Sequence, residues 1–341
     1  MMAVNIANAL AENGTASHLC ATRQEGDLKA KIGKGVGYVF LNKKNTVDLK
    51  ALKKLVSYIK SNKINTIHAH STSYFTAFLV KLWLPKTSII WHDHYGNSEN
   101  LKERKKFPLT WVSKSFKAVI SVNHNLLQWA KQQLHAGHYK YLPNFAVFGI
   151  ENLKTTQLQG ENGKRILCLA NLRPQKDHLN LLKAFKSVQE KHPGWTLHLA
   201  GMDFKDACAE EIKGYVRQQH LNACVYLYGS CPDTQHILEQ AAIGVLGSKS
   251  EGLPLALLEY GLAKLPVAVT DVGECGLVVS DRKSGLVVPP NDAAALAEAL
   301  NFLIENEHQR KIFGENLYDQ VLLNYSKNAF MTQLTALYQL G

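Results

Sequence analysis

Along the chain, short and nearly uninterrupted apolar runs alternate with longer stretches whose apolar residues return every three or four positions. Thr66-Ile67-His68-Ala69-His70, Ser88-Ile89-Ile90-Trp91-His92 and Lys117-Ala118-Val119-Ile120-Ser121-Val122 are runs of the first kind. Too short for helices and rich in β-branched residues, they predict buried strands. Between them, residues 48–61 place Leu49, Leu52, Leu55, Val56 and Ile59 on one helical stripe, and 72–83 form a second helix. Strands separated by helices in this rhythm predict βαβ units, a parallel sheet and an α/β fold.

The rhythm stops after Tyr141-Leu142-Pro143-Asn144. Residues 147–163 end in a polar, Gly-bearing stretch without a period and read as a linker. The pattern restarts with strand 165–170 and helix 177–192. Strands 196–200, 225–228, 243–246 and 266–270 follow, interleaved with helices 205–219, 232–241 and 255–263. Helices near 292–306, 308–322 and 327–339 complete the chain. The expected organisation is two doubly wound domains, 1–146 and 164–325, with a cleft between them and a final helical segment, 326–341. In open parallel sheets ligands bind beyond the carboxyl ends of the strands, so strand-end residues are the first candidates for chemistry. The start departs from this plan. Residues 1–11 read as a helix ending near Asn13-Gly14, so the strand that normally opens such a domain is expected to be missing.

Composition narrows the class. With 46% hydrophobic and 20% charged residues, the 341-residue chain has enough apolar side chains for full cores and is not a disordered protein. No run is long enough to span a bilayer and no secretory signal pattern opens the chain, which predicts a cytoplasmic protein. Cys20, Cys168, Cys208, Cys224, Cys231 and Cys275 lack metal-site spacing and read as reduced, mostly buried thiols. The net charge of +11 is unevenly placed. Residues 1–150 carry 21 Lys and Arg against 7 Asp and Glu, while the remainder is slightly acidic. That asymmetry points to an anionic surface or substrate. Lysine outnumbers arginine 19 to 2 in the first 150 residues, and no nucleic-acid-binding signature appears, so an anionic membrane fits better than nucleic acid.

Two segments stand out chemically. In Ser250-Glu251-Gly252-Leu253-Pro254-Leu255-Ala256-Leu257-Leu258-Glu259, a turn through Gly252 starts a helix with Pro254 at its head. The first helical N–H groups have no carbonyl to serve and suit an anion or sugar hydroxyls. Glu259 is the only charge between Glu251 and Lys264 and needs a partner, which ribose hydroxyls or a buried cation would supply. Asn171-Leu172-Arg173-Pro174-Gln175-Lys176-Asp177-His178 follows the first strand of the second domain, where Arg173 and Lys176 could neutralise a diphosphate leaving group. A rival pattern is the pair of H-x-H units, His68/His70 and His92/His94, which with Asp93 could hold zinc as in a hydrolase. The plainer reading of His68 and His70 is a pair of hydrogen-bonded polar groups near a sheet edge.

The carboxylates eight apart in that first segment, together with the Asn171–His178 loop, Gly229-Ser230, Pro143-Asn144 and Gly285-Leu286-Val287-Val288-Pro289, resemble the retaining GT-B glycosyltransferases of family 4 over about residues 1–325. The resemblance implies two Rossmann-like domains, a nucleotide-sugar donor in the C-terminal one and an acceptor in the N-terminal one. It further implies a last helix packed back on the first domain and no obligatory metal or cofactor. It places Glu251 at the donor sugar, Glu259 at the ribose, Lys176 at the diphosphate and His92 near the scissile bond. The backbone of Gly252, Leu253, Pro254 and Leu255 would meet sugar hydroxyls and phosphate, and Gly229 and Ser230 would border the base, with uridine expected. Asn171 stands where the family has an arginine, so either Arg173 acts from a different position or the phosphate contact is weaker. The implied activity is hexosyl transfer to a saccharide or lipid-linked acceptor in surface polysaccharide synthesis, at the inner face of the membrane. The alternatives are a catalytically weak nucleotide-sugar-binding partner protein and a sugar-nucleotide epimerase on the same fold.

Overall fold

The computed structural model describes residues 2–96, 100–146 and 154–339. Met1–Asn144 and Lys327–Gly341 form one unit, and Phe145–Ser326 form another. The first unit runs α1 (Met2–Glu12), β1 (Ser17–Ala21), β2 (Val36–Phe40), α2 (Leu49–Ser61), β3 (Thr66–His70), α3 (Tyr74–Trp83), β4 (Ser88–Asp93), α4 (Leu109–Val112), β5 (Ala118–Ser121), α5 (His124–Gln133) and β6 (His138–Tyr141). Helix starts follow local chemistry. Asp48 Oδ1 accepts from Ala51 N–H at 3.0 Å to cap α2, and Asn123 Oδ1 accepts from Leu126 N–H at 2.9 Å to cap α5. The predicted α2 stripe is buried at Leu52, Leu55, Val56 and Ile59, but Leu49 sits in the first turn and is 61% exposed.

The second unit runs β7 (Arg165–Leu169), α6 (His178–Lys191), β8 (Thr196–Ala200), α7 (Ala207–Gln218), β9 (Val225–Gly229), α8 (Thr234–Glu239), β10 (Ile243–Leu246), α9 (Leu255–Leu262), β11 (Val267–Thr270), α10 (Cys275–Val278), β12 (Leu286–Val288), α11 (Ala293–Glu305) and α12 (Glu307–Tyr325). Its sheet has the order β12-β11-β10-β7-β8-β9 with every pairing parallel. Ile166, Leu197, Ile243 and Val267 are fully buried in it, as strands covered on both faces require. The expected linker divides. Residues 147–153 lie outside the described residues, whereas Thr155 and Thr156 hold Asp233 in this unit through both backbone N–H groups and both hydroxyls at 2.7–3.1 Å. From residue 154 the segment is therefore a strap on the second unit.

The last helix, α13 (Lys327–Gln339), belongs to the first unit, where Lys327 pairs with Glu12 of α1 and the Tyr338 hydroxyl lies 2.7 Å from His68 Nδ1. The strands of the first unit make two parallel sheets, β1-β2 and β3-β4-β5-β6. The apolar-run pattern misses β1 and β2, because Ser17-His18-Leu19-Cys20-Ala21 and Val36-Gly37-Tyr38-Val39-Phe40 mix polar and small residues with apolar ones. No described helix is long and apolar enough to cross a membrane.

Candidate active site

In the second unit the chain fills β8 and β9 on one side of β7 and later β10, β11 and β12 on the other. The strand order therefore reverses between β7 and β10. Loops leaving the carboxyl ends at such a point form a crevice. These loops are 170–177 and 247–254, the two segments singled out in the sequence. A backbone bond from Lys249 N–H to Gln175 O at 3.0 Å ties them together.

Lys176 Nζ donates to Glu251 Oε1 at 2.6 Å, and Ser248 Oγ donates to the same oxygen at 2.6 Å. The Glu251 side chain is 7% exposed and that of Lys176 is 21% exposed, so the carboxylate is nearly enclosed with its partners while the ammonium retains an open side. A carboxylate so enclosed is costly without such donors. Thr270 Oγ1 holds the Ser248 carbonyl at 2.5 Å, and Glu274 N–H donates to Gly252 O at 2.9 Å, so the loop after β11 braces the Glu251 turn from behind. This brace requires Gly273. Its φ is +57°, and a Cβ there would lie 2.0 Å from the Glu251 carbonyl oxygen.

Glu251 is not a cap of α9. Pro254 precedes that helix in extended conformation and no side chain caps it; its carbonyl takes the Leu257 N–H at 3.1 Å, which leaves those of Leu255 and Ala256 to water or a ligand. Glu259, within α9, has no side-chain partner among the described residues, and burial pushes its carboxyl up to about 7. Arg173 is exposed with its guanidinium 4.3 Å from the Phe204 ring centroid. Asn171 Oδ1 accepts from Met202 N–H at 2.8 Å, so its side chain fastens the 170–177 loop to the one after β8. Gly229 ends β9 and Ser230 follows it, two strands away from β7, or about 10 Å at ordinary strand spacing. The structure thus groups Lys176, Glu251, Gly252, Leu253, Pro254 and Leu255, with Gly229 and Ser230 apart along the sheet edge. Ser248, Thr270 and Gly273 are additions that no local pattern in the sequence singles out.

His92 lies in the other unit, in β4, wholly buried and with neither ring nitrogen hydrogen-bonded. It belongs to a group of four imidazoles. His68, His70 and His92 bring ring nitrogens within 4.8 Å of one another, and His70 Nδ1 is 3.0 Å from His94 Nε2. Burial drives His92 and His70 well below the ordinary histidine value, with the neighbouring rings adding to the effect, and it takes His68 to about 3 and His94 to about 4. The rings of His68 and His92 are stacked with an interplanar angle of 8°, and those of His68 and His70 with one of 25°. In-plane lone pairs of stacked rings run side by side, so holding one tetrahedral ion would require ring rotation. Asp93 is not part of such a set. Its carboxylate takes a bidentate pair from Arg104 at 2.6 and 2.8 Å. Arg104 is thereby buried, which leaves Lys102, Lys105 and Lys106 as the exposed cations of that stretch. Phe107 and Trp111, 85% and 58% exposed, stand beside those lysines and supply the apolar element that the sequence pattern did not reveal. Cys20, expected among the buried thiols, is exposed.

The model of the family described as glycosyl transferases group 1 matches residues 150–320, and that of glycosyltransferase family 4 matches residues 1–146. An exopolysaccharide phosphotransferase of Streptomyces coelicolor is 27% identical over 219 residues, which cover 62% of this chain and 22% of that protein. The UDP-Gal:α-D-GlcNAc-diphosphoundecaprenol α-1,3-galactosyltransferase of Escherichia coli is 22% identical over 304 residues, covering 80% of this chain and 77% of the relative. The chain spans only 22–43% of the length of the first four curated relatives. Among solved structures, HepE of Anabaena in complex with UDP and glucose superposes with a TM-score of 0.77 at 15% identity, over 99% of this chain and 96% of that one. That likeness is one of fold, and it agrees with two doubly wound α/β units of the GT-B type.

Proposed function

Because the chain belongs to the glycosyl transferases group 1 family, we propose that it moves a sugar from a nucleotide-sugar donor, a UDP-sugar, to a saccharide or lipid-linked acceptor. Retention at the anomeric carbon and independence from a metal are part of the reading. The observation that carries it is the Lys176–Glu251 pair beside the uncapped start of α9 at the strand-order reversal. The bond from the anomeric carbon to the diphosphate oxygen breaks with its electron pair going to the diphosphate. Lys176 and Arg173 stabilise that charge, as cations preorganised at a leaving group do. The acceptor oxygen bonds on the face the diphosphate leaves, and its proton passes to a departing phosphate oxygen, so no enzymic base is needed. Glu251 positions the donor sugar. Support for the donor and acceptor classes comes from the UDP and glucose named for the Anabaena structure and the diphosphoundecaprenol substrate named for the Escherichia coli relative.

The test is a panel of nucleotide sugars with lipid-pyrophosphate saccharides, in the presence of EDTA, with the product's anomeric configuration read by NMR. Acceptor-dependent release of nucleoside diphosphate with retained configuration is expected. Inversion, a requirement for divalent cations, or epimerisation without acceptor would overturn the corresponding part of the reading.

Glu259 provides a pH signature. The ribose hydroxyls donate to its carboxylate, whereas burial favours the protonated acid up to about pH 7. Donor binding must then release a proton below that value. Affinity for UDP should rise about tenfold per pH unit up to about 7 and level off above it. Titration calorimetry in buffers of different ionisation enthalpy should detect the released proton. In Glu259→Gln the pH dependence and the proton release should both disappear; their persistence would remove Glu259 from the ribose site.

The basic half is proposed to attach the protein peripherally to anionic bilayers. Lys102, Lys105 and Lys106 supply charge, and Phe107 and Trp111 supply rings suited to the headgroup boundary. Each such lysine contributes on the order of 1 kcal/mol near the surface, decaying within a Debye length. Co-sedimentation with anionic vesicles is expected at low salt and release at high salt. Neutralising the three lysines should reduce binding at least tenfold, and equal binding to neutral vesicles would sink the idea.

A further inference from the structure

β7 and β10 flank the strand-order reversal, and their pairing is short. Only Ile166 with Ile243 and Leu167 with Gly244 are in register among the described residues, although β7 runs on to Leu169 and β10 to Leu246. On its other side β7 pairs with β8 from Arg165 to Leu169, along its whole length. What ends the β7–β10 ladder is a side chain. Tyr260 of α9, wholly buried, reaches the seam with its hydroxyl, which accepts from Leu169 N–H at 2.7 Å and donates to Leu167 O at 3.0 Å. The Val245 carbonyl of β10 lies 3.3 Å from the same oxygen. Burial pushes the phenol well above its ordinary value, so it keeps the proton that it donates.

In a parallel ladder one residue serves an acceptor and a donor that lie two residues apart on its neighbour. The Tyr260 hydroxyl serves such a pair on β7 in place of a residue of β10. A direct rung would bring amide nitrogen and carbonyl oxygen to about 2.9 Å. Here the phenol oxygen stands between the strands and keeps them apart. Gly244 makes room for the ring, since a Cβ there would lie 2.9 Å from Cγ and Cδ2 of Tyr260. The separation falls at the carboxyl ends of both strands, where the 170–177 and 247–254 loops leave. One loop carries Lys176, with the open side of its ammonium, and the other leads to the unserved N–H groups of Leu255 and Ala256. A diphosphate has oxygens enough to meet the cation and the N–H groups together. We infer that Tyr260 is a positioning residue for the donor: its hydroxyl holds β7 and β10 at the separation that lets Lys176 and the start of α9 engage one diphosphate. The inference rests on the proposed transfer reading and adds to it the residue that sets the width of the crevice.

The test measures binding of UDP and of UMP to the 341-residue chain by calorimetry, with urea unfolding of each variant. Tyr260→Phe removes one oxygen and keeps the ring. Its UDP affinity should fall on the order of tenfold, as for groups displaced from a shared ligand, while its UMP affinity changes by no more than about threefold. Loss of packing alone would lower stability and leave the UDP:UMP affinity ratio at the wild-type value. Replacement of Tyr260 by 4-aminophenylalanine, whose para nitrogen reaches as far as the hydroxyl and also donates, should restore the ratio. Gly244→Ala keeps the hydroxyl but displaces the ring; it should lower the ratio too, and it decides the matter if Tyr260→Phe does not fold. An unchanged ratio in either folded variant, or a fallen ratio that 4-aminophenylalanine does not restore, would overturn the inference and leave the transfer reading standing. A wild-type chain that binds UDP no better than UMP would overturn the donor reading along with it.

Discussion

Lys176→Ala is expected to lower kcat/KM for sugar transfer by on the order of 10²–10³-fold, the usual consequence of removing one preorganised group from a developing anion. The Lys176 ammonium also pairs with Glu251 at 2.6 Å, so a structural role could account for a loss by itself. The two roles separate in a second variant. Without the lysine, Glu251 keeps only the Ser248 hydroxyl as a side-chain partner among the described residues and becomes a poorly compensated buried carboxylate. Changing it to the neutral amide in Lys176→Ala/Glu251→Gln relieves that burden. Because Glu251 itself positions the donor sugar, the double variant is compared with Glu251→Gln alone: a purely structural lysine predicts equal activity in the two, whereas a lysine acting on the diphosphate predicts a further loss of on the order of 10²–10³-fold in the double variant. The loss should fall on kcat as well as on donor affinity, because the charge it meets grows as the diphosphate leaves. Near wild-type turnover in Lys176→Ala would remove the proposed mechanism.

How far the sequence carries this picture depends on the kind of signal. Strands buried on both faces, such as Ala118–Ser121, Thr196–Ala200 and Ile243–Leu246, are legible because continuous burial leaves a largely apolar run. Ser17–Ala21 and Val36–Phe40 are not, since together they form only a two-stranded sheet and carry Ser, His and Gly among their apolar positions. Glu251 and Lys176 can be found because charge at a strand end is locally unusual. Their contact spans 75 positions of sequence, and it follows from β7 and β10 lying side by side. The same reason hides Ser248 and Gly273: a hydroxyl and a glycine are common, and only the fold places one on the carboxylate and the other against its backbone. Arg104 misleads in the opposite direction. Set among Lys102, Lys105 and Lys106 it reads as surface charge, but the fold turns it inward to Asp93.

Asp93→Ala should destabilise the first unit by about 3–5 kcal/mol, the range for breaking a buried ion pair by removing one member. The side chains of Asp93 and Arg104 are 1% and 8% exposed, and the guanidinium lies 4.1 Å from the Trp129 ring centroid and 4.4 Å from that of Tyr95. The loss strands a guanidinium that cannot shed its proton, so the deficit should be the same from pH 5 to pH 8. Arg104→Leu behaves differently. Burial already pushes the Asp93 carboxyl up, with Arg104 opposing it, so removing Arg104 raises the folded-state value further. A carboxyl whose folded value exceeds the unfolded one keeps its proton on folding at low pH and costs stability as pH rises through that window. The deficit of Arg104→Leu should therefore be smaller at pH 5 than at pH 8. Urea unfolding followed through Trp91 and Trp129, both buried in this unit, measures each case. A loss below about 1 kcal/mol in both variants, or opposite pH trends, would mean that the pair does not hold the unit together, whereas Asp93→Leu/Arg104→Leu recovering most of the stability would identify desolvation of the stranded charge as the dominant cost.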